Sequence, residues 1–476
     1  MRILNPRSIF HFFLIPVLFG LYAMSAAAQW NFQSRYGEND IVELGTCGIV
    51  VDKGNGYAVV GEATVGRFNR DIIFNRIDAT GNLLWGRMYD IGEVDVGTAV
   101  VQAADGDFVI TGYTRSRNSG TDEDLLLMKI DSANGDVLWC RTYGGRYAQR
   151  GMGIIRTGAT DDLVVAGYSH QPTTGGLASI DVDGLLVRTD KDGIVRWGNT
   201  YSSDSSCFFQ TLSRDDRNRI VAAGYFLTID KREQMLMMGV DMENGGIVWT
   251  GGCGGPGNDR INGMGNIPLD YSVFAGNTDS WGAGGNDMFV LEVWKDGARA
   301  SMRTFGGPGH ENAMGVGHAG AFNLPDSDAL VIAGSSFNNA GGHGEWDICL
   351  VRTGALLTDK PQFSRLYGDK KIDLTKSMTM CPLDGGVLVT GSTAGFGVES
   401  GTDVYLLKAD GHGTTGPGCA ELDAPYASMY FNDIPVVPVQ ISISGSVENG
   451  RTVTPKLKPF SGSHAICQPT KSMMME

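Results

Sequence analysis

The sequence predicts an all-β protein: a seven-bladed β-propeller of four-stranded blades, followed by a short C-terminal tail that is β-rich or irregular. The first observation is a repeat, since an apolar run ending in Gly recurs at intervals of fifty to sixty residues. The second is that each interval holds about four strand-like runs separated by Gly, Asp and Asn turns. The third is composition, because 68 of the 476 residues are Gly, about twice the usual share, without a collagen period. The repeated glycine is found at Gly61, Gly112, Gly167, Gly224, Gly276, Gly334 and Gly391.

Residues 1–28 have the composition of a secretory signal peptide. Arg2 and Arg7 precede an almost wholly apolar stretch, and a run of Ser and Ala then supplies a cleavage site. The alternative is an uncleaved membrane anchor, which His11, Pro16 and the cleavage site disfavour. We therefore expect the mature chain to be secreted, held at the cell surface or retained in the periplasm, without membrane insertion.

Residues 29–417 carry the repeats, and each repeat has the same internal order. In the second copy the shared Gly112 is followed by Asp124, an apolar strand, a second Asp, a Gly turn, Trp139 and Tyr143. Four strands per repeat with no helical period between them are typical of propeller blades, whose closure into a ring removes exposed sheet edges. An open β-solenoid is the alternative, but its coils are normally shorter than these repeats.

The repeated residue types have structural explanations. Gly at a strand end permits a close approach of two backbones, and Asp at a strand start caps a turn with its carboxylate. Trp and Tyr four residues apart share one face of a strand, so both can pack between neighbouring blades. A residue type that recurs in every copy is therefore poor support for a single active site.

The repeats resemble the delta-60-type β-propeller repeats of secreted bacterial proteins. In the second copy the match runs from Asp105 to Gly112 and from Asp124 to Gly135, and the last copy matches in the same way. The resemblance covers about residues 30–411. It implies an exported propeller, and it supplies no catalytic residues to this chain.

All eight Cys follow the signal peptide, in a compartment where disulfides can form. No pair has the CxxC spacing of a redox or zinc motif, and six fall inside the repeats, where a lone Cys is usually a small buried residue. Cys419 and Cys467 bracket the tail, residues 418–476, and are the pair predicted to form a disulfide. We expect the tail to place a strand or two on the propeller rim and to end in disorder. A sorting or anchoring role for the tail is the alternative.

The formal net charge of −15 bears on the choice of partner. Such a field repels phosphate backbones and anionic lipid surfaces, so it argues against nucleic acid and acidic membranes as partners. We expect a monomer whose partner is a protein or a glycan at the cell surface or outside the cell.

Candidate ligand-binding residues come from the loops in which the copies differ, since propellers bind ligands through loops around the channel mouth. Aromatic and polar side chains there suit a sugar or a peptide, although local packing explains each one as well. The candidates are His170, Trp281, His343, Trp346 and Phe396.

Candidate metal ligands are carboxylates in the near-duplicate loops GGPGNDR and GGPGHEN and in two Asp-x-Asp spacings. Such oxygen ligands suit Ca²⁺. The candidates are Asp259, Glu311, Asp122 and Asp181. None belongs to a complete ion-binding loop, and drift of a repeat explains the duplication equally well. Calcium is therefore the one cofactor left open.

Catalytic signatures are missing from the sequence, which has no nucleophile elbow, zinc-protease motif or P-loop, and no dinucleotide-binding glycine pattern between a strand and a helix. We therefore predict a binding or structural module without enzymatic activity. The alternative is a propeller-type polysaccharide hydrolase or lyase that uses carboxylates on one face.

Overall fold

The computed structural model describes residues 30–471 except residues 39, 53, 67–68, 116–121, 146, 159, 173–179, 266–270, 295–296, 298, 320–328, 338–341, 355–356, 420, 425, 448–449 and 468–469. Within these residues the regular structure is β-strand and no helix occurs, so the all-β prediction is confirmed. The predicted signal peptide and the C-terminal residues 472–476 lie outside the described residues.

The strands follow one another in antiparallel units of four. After the N-terminal β1 (Trp30–Tyr36), the first unit comprises β2 (Val42–Val50), β3 (Tyr57–Thr64), β4 (Arg70–Ile77) and β5 (Leu83–Asp90). The second comprises β6 (Val94–Gln102), β7 (Phe108–Arg115), β8 (Glu123–Ile130) and β9 (Val137–Tyr143). The third comprises β10 (Gln149–Arg156), β11 (Leu163–Pro172), β12 (Ile180–Thr189) and β13 (Val195–Ser202).

The same order continues to the end of the repeats. The fourth unit comprises β14 (Cys207–Arg214), β15 (Arg219–Leu227), β16 (Glu233–Asp241) and β17 (Ile247–Cys253). The fifth comprises β18 (Asp259–Gly265), β19 (Tyr271–Thr278), β20 (Asp287–Trp294) and β21 (Arg299–Gly306), and the sixth comprises β22 (His310–His318), β23 (Ala329–Phe337), β24 (Trp346–Gly354) and β25 (Pro361–Tyr367). The last unit has β26 (Asp373–Cys381), β27 (Gly386–Thr393) and β28 (Asp403–Ala409), and β1 pairs with β28 as its fourth strand.

These units make a repeat protein of the β-propeller type, because the first strands of successive units lie side by side and β26 lies beside β2. The described strands form six sheets rather than seven. The reason is that Arg70 of β4 pairs in parallel with Val94 of β6, which joins the first two units into one ten-stranded sheet. The blade count of seven therefore stays a prediction.

A β-bulge in the first strand of each unit explains the repeated glycine. In the second unit the register shifts between Gly97 and Ala99, directly opposite Gly112. A Cβ atom at Gly112 would overlap the carbonyl oxygen of Val96, and the other shared glycines face a carbonyl oxygen in the same way. The close backbone approach at the bulge therefore accounts for Gly in every copy.

The repeated tyrosine links one unit to the next. The hydroxyl of Tyr143, at the end of β9, donates a hydrogen bond of 2.6 Å to the carbonyl of Gly193, in the β12–β13 turn of the next unit. Both groups are buried. The equivalent bonds are Tyr36 to Gly81, Tyr89 to Gly135, Tyr201 to Gly245 and Tyr367 to Gly413. The glycine of the turn between the third and fourth strands thus serves as acceptor for the neighbouring unit.

The core lies between neighbouring units. Phe74 of the first unit and Phe108 of the second belong to one buried cluster, with ring centroids 5.1 Å apart. Cysteines fill such clusters as small apolar residues: Cys140, Cys207, Cys253, Cys349 and Cys381 are buried and unpaired, and Cys47 is half-buried and unpaired.

The tail runs along the outer edges of the units and adds short strands to them. These strands are β29 (Glu421–Asp423), β30 (Ala427–Pro435), β31 (Ser442–Ser446), β32 (Arg451–Thr452), β33 (Lys456–Phe460), β34 (His464–Ala465) and β35 (Thr470–Lys471). Their partners are β25, β21, β13, β9, β5 and, for the last two, β1. We call residues 421–471 the belt, since pairing with the outer strands covers sheet edges that are otherwise open.

Candidate functional site

The first strands of the units surround a cavity of about 220 Å³ on the axis of the molecule. At the level of the bulge each of these strands contributes one extra residue to the cavity wall, and these residues differ from unit to unit. They are Thr46, Thr98, Met152, Gln210, Asn262, Met314 and Lys376. The shared scaffold therefore presents a varied ring of side chains along its axis.

Some of these axial side chains also hold neighbouring units together. The Thr46 hydroxyl donates to the carbonyl of Gly97 at 2.6 Å, and the Asn262 amide donates to the carbonyl of Ala313 at 2.9 Å. Where the last unit meets the first, the Thr379 hydroxyl donates to the carbonyl of Gly48 at 2.7 Å.

A row of flat side chains lies about two residues along the strands from this ring. Its side chains come from two positions in a unit: the residue after the shared glycine, and the residue that pairs with it on the first strand. Examples are the pairs Arg150–Tyr168 and Phe208–Tyr225. We call this row the aromatic stack. Its members are Tyr113, Arg150, Tyr168, Phe208, Tyr225 and Arg260.

The aromatic stack is continuous across three unit boundaries. The guanidinium carbon of Arg150 lies 4.4 Å from the ring centroid of Tyr113 and 5.9 Å from that of Tyr168. The Tyr168 ring meets Phe208 edge-on at 5.3 Å, and Phe208 stacks on Tyr225 at 4.7 Å. At the far end the guanidinium carbon of Arg260 lies 5.0 Å from the centre of Tyr225. Cation–π contacts and ring stacking thus hold six side chains in fixed orientations.

Both guanidinium groups of the stack are ion-paired at their outer side. Arg150 bonds to the carboxylate of Glu123, and Arg260 makes a two-pronged contact with Glu233. The side chains of Arg150 and Arg260 remain 32% and 38% exposed, so an incoming ligand can reach them. Burial raises the pKa of Tyr225, which keeps its hydroxyl protonated through the neutral range.

Other units show that the scaffold does not need the stack. The pair equivalent to Phe208–Tyr225 is Leu374–Ser392 in the last unit. Arg260 corresponds to Asn312 in the sixth unit, where the opposite residue is a serine. Small or aliphatic side chains therefore suffice for packing at this level, and the flat side chains of the second to fifth units are an addition.

Of the predicted ligand-binding residues, only His170 belongs to this region. Its ring stacks on Tyr168 with a centroid separation of 6.1 Å. Burial and the nearby charge of Arg150 lower the pKa of His170, so its imidazole is neutral at pH 7.

The other four predicted ligand-binding residues lie in the fifth, sixth and last units. Trp281 packs on Phe431 of the belt at 6.2 Å, and Trp346 packs on Phe337 at 5.1 Å. The backbone N–H of His343 donates to Asp347, and that of Phe396 donates to Asp369. The structure therefore does not bring the five predicted residues together.

Three of the four predicted metal ligands accept hydrogen bonds from neighbouring groups. Asp259 is fully buried and accepts from the backbone N–H of Gly255 and the hydroxyl of Ser280, each at 2.7 Å. Glu311 is equally buried and accepts from the backbone N–H of Gly307 at 3.1 Å. Asp181 accepts from the Ser206 hydroxyl at 3.1 Å, and Asp122 is half-buried. The near-duplicate loops are thus turns closed by a buried carboxylate four residues after the turn glycine.

Three other carboxylates lie close together. Among the residues the structure describes, Asp71, Asp90 and Asp95 are the one group whose oxygens lie within 4.8 Å of one another. The ammonium of Lys458, from the belt, lies 2.9 Å from Asp71 and 3.8 Å from Asp90. This group therefore serves as an anchor for the belt.

Sequence reasoning missed the aromatic stack although a signal was present. The residue after the shared glycine reads Tyr in three successive copies, Tyr113, Tyr168 and Tyr225, and Glu, Asn or Ser in the others. Their partners on the first strands, such as Arg150 and Phe208, show no pattern in the sequence. They lie opposite the tyrosines only because of the strand register at the bulge.

No family model matches the chain, and no curated protein matches it. Among solved structures, the Pan2 WD40 domain of Neurospora crassa is 11% identical with a TM-score of 0.42, covering 76% of this chain and 89% of that one. Sqt1 from Chaetomium thermophilum is 10% identical with a TM-score of 0.34, covering 78% of this chain and 99% of that one. In the described ranges no helix is long and apolar enough to cross a membrane.

Proposed function

We propose that this chain is an exported, seven-bladed β-propeller that acts as a binding module and carries no enzymatic activity. Its ligand is a polypeptide segment that docks on the aromatic stack. The observation that carries the proposal is the stack itself: six flat side chains in contact, confined to neighbouring units, on a scaffold that folds elsewhere without them.

Closure into a seven-bladed ring is supported by the contacts of the first strands. Each of β2, β6, β10, β14, β18, β22 and β26 lines the same axial cavity. The last unit is bonded to the first, since the backbone N–H of Gly48 donates to Ser377 at 3.1 Å and its carbonyl accepts from Thr379. On this view the ten-stranded sheet is two blades joined by a single parallel pair.

A polypeptide is favoured as ligand by the residue types of the stack. Tyr and Arg are among the side chains enriched where proteins bind one another, because each combines a flat surface with hydrogen-bond donors. The guanidinium groups of Arg150 and Arg260 use only some of their N–H donors on Glu123 and Glu233. The remaining N–H groups can donate to carbonyl oxygens of a ligand. A glycan would use the same rings, and the experiment below separates the two.

The ion pairs beside the stack also favour a binding module over an enzyme. A glycoside hydrolase of the usual kind needs a pair of carboxylates that are free to act on its substrate. The carboxylates that border the stack are Glu62, Glu123 and Glu233, and each is paired with an arginine. Export is supported by the predicted signal peptide and by the disulfide between Cys419 and Cys467, a bond that persists in oxidising compartments.

The test is a selection followed by a matched mutation. The mature chain, immobilised and oxidised, is presented in parallel with a displayed library of random linear peptides and with an array of polysaccharides. The stack variant is Phe208→Leu/Tyr225→Ser/Arg260→Asn, in which each new residue is one that another unit carries at the same position. The control variant is Leu138→Ser, at an outer-strand position that is 50% exposed.

We expect selected peptides to lose affinity for the stack variant by on the order of thirtyfold or more, the loss for a contact worth about 2 kcal/mol. The control should bind as the parent does. Peptides that bind the stack variant as tightly as the parent would overturn the assignment of the site. Enrichment of polysaccharides alone would overturn the choice of ligand, and their turnover would overturn the non-enzymatic proposal.

A further inference from the structure

The belt makes a complete circuit of the molecule, in the direction opposite to that of the chain in the repeats. It pairs in turn with the outer strands of the sixth, fifth, third, second and first units, and finally with β1 in the last. At the fourth unit it is tied by paired backbone hydrogen bonds between Val437 and Gly252, 2.8 and 2.9 Å long. Every outer strand thus contacts the belt.

The two ends of this circuit are joined covalently. Cys419 lies just before the first belt strand, and Cys467 lies just after β34, beside the last unit. They form a disulfide with their Cα atoms 5.1 Å apart. The bond therefore closes a loop that starts and ends at the last unit and passes all the others.

The length of the loop fits a full turn around the body. The two cysteines are 48 residues apart in sequence. At about 3.3 Å per extended residue, this length spans roughly 160 Å. A compact body of about 390 residues has a radius of gyration of about 21 Å, which corresponds to a circumference of roughly 170 Å. The loop is thus drawn closely around the propeller, with little slack.

Buried apolar side chains and a few polar contacts hold the belt in place, for example Ile434 of β30 and Phe460 of β33, which belong to clusters between the units. Lys458 bonds to Asp71, the Ser444 hydroxyl donates to Asp183 at 2.6 Å, and Glu421 pairs with Arg365. All five residues of β31 are exposed, and most of β30 and β33 is exposed as well. Between these buried anchors the belt depends on backbone pairing at a sheet edge, which a free chain end can lose one strand after another.

We propose that the Cys419–Cys467 disulfide turns the belt into a closed hoop that holds the blades together, and that its reduction lets the belt peel away from its C-terminal end. Closure removes two protons and two electrons from the two thiols, and an external disulfide takes them up to become two thiols. While the disulfide holds Cys467, loss of β35 beyond it does not propagate into the strands of the hoop. In the reduced chain β35 and β34 detach first, then β33, β32 and β31.

Hydrogen–deuterium exchange read by peptide mass spectrometry tests this order. The oxidised mature chain is compared with Cys419→Ser/Cys467→Ser and with the folded wild-type chain after addition of a thiol reductant. The other six cysteines are unpaired, so the reductant breaks only this bond, and the double variant treated with reductant is the matched control. The reduced wild type also serves if the variant folds poorly.

We expect amides of β33 and β34 to exchange faster by an order of magnitude or more once the bond is open, with a smaller increase at β31 and little at β29. Amides of the first strands should not change. Equal exchange along the belt in the oxidised and reduced chains would overturn the proposal. A uniform increase from β29 to β34 would also overturn it, since it would mean that the belt detaches as one piece.

Discussion

Replacing Tyr143 by Phe removes one hydroxyl from the contact between the second and third units and leaves the ring in place. That hydroxyl is buried, with Tyr143 only 1% exposed, and it donates at 2.6 Å to the carbonyl of Gly193. The substitution removes a hydrogen bond with a net contribution of about 1 kcal/mol. It also leaves the buried carbonyl of Gly193 without that donor. We expect the free energy of unfolding to fall by about 1–3 kcal/mol.

Tyr57→Phe is the matched control for this change. Tyr57 is also fully buried, but among the residues the structure describes its hydroxyl has no hydrogen-bond partner. Removing an unsatisfied buried hydroxyl should leave stability unchanged or raise it by up to about 1 kcal/mol. The two variants thus carry the same chemical change with opposite expected signs.

The assay is urea unfolding of the oxidised mature chain, followed by fluorescence and circular dichroism at pH 7. The Tyr143→Phe midpoint should fall below that of the parent, and the Tyr57→Phe midpoint should equal or exceed it. If both midpoints fall by the same amount, the tyrosine contributes through its ring alone. The account of the Tyr-to-Gly bond as a link between units would then be refuted.

Two further predictions concern the shared glycine and the buried acids. Gly112→Ala should destabilise the fold by about 1–3 kcal/mol, because its Cβ would overlap a carbonyl of the bulged strand, whereas Gly145→Ala, with no atom within 4 Å, should be near neutral in the same urea assay. Burial raises the pKa of Glu43 to about 8 and those of Asp373 and Glu292 to about 7. The folded chain then retains protons that the unfolded chain releases above about pH 4.5, so stability should fall as the pH rises from 5.5 through 8.5. An unchanged or higher urea midpoint at pH 8.5, or a fall that Glu43→Gln does not reduce, would contradict this reasoning.

The repeated contacts were the part of the fold that the sequence could reveal. A glycine that faces a bulge carbonyl and a tyrosine that bonds to the next turn are needed in nearly every unit, so they recur and can be aligned. In two units another residue, Cys253 or Phe305, replaces this tyrosine. These recurrences predicted the strands, the turns and the propeller type.

The belt lies beyond such reasoning because edge pairing uses backbone groups, which leave no pattern of side chains. β31 is exposed at every residue and still pairs with β13. The sequence predicted a strand or two in the tail, whereas the described part of the tail has seven short strands. The disulfide pair Cys419 and Cys467 was visible only as a bracket around the tail.

The candidate site was predicted least well, since it depends on which loops and strands meet in space. Asp259 and Glu311 have the residue type of a calcium ligand, but their neighbours are the backbone N–H groups of their own turns. The aromatic stack combines residues from four units, and each partner is separated from the next by seventeen or more positions in sequence. Only the alignment of repeats, read for its differences, points to it.

The most direct test of the central claim is an experimental structure of the oxidised mature chain with its best selected peptide bound. We predict seven four-stranded blades around one axis and the peptide lying across Tyr168, Phe208 and Tyr225, with a guanidinium of Arg150 or Arg260 bonded to a peptide carbonyl. A peptide bound on another face, with these rings uncovered, would contradict the account of this propeller as a binding module that uses its aromatic stack.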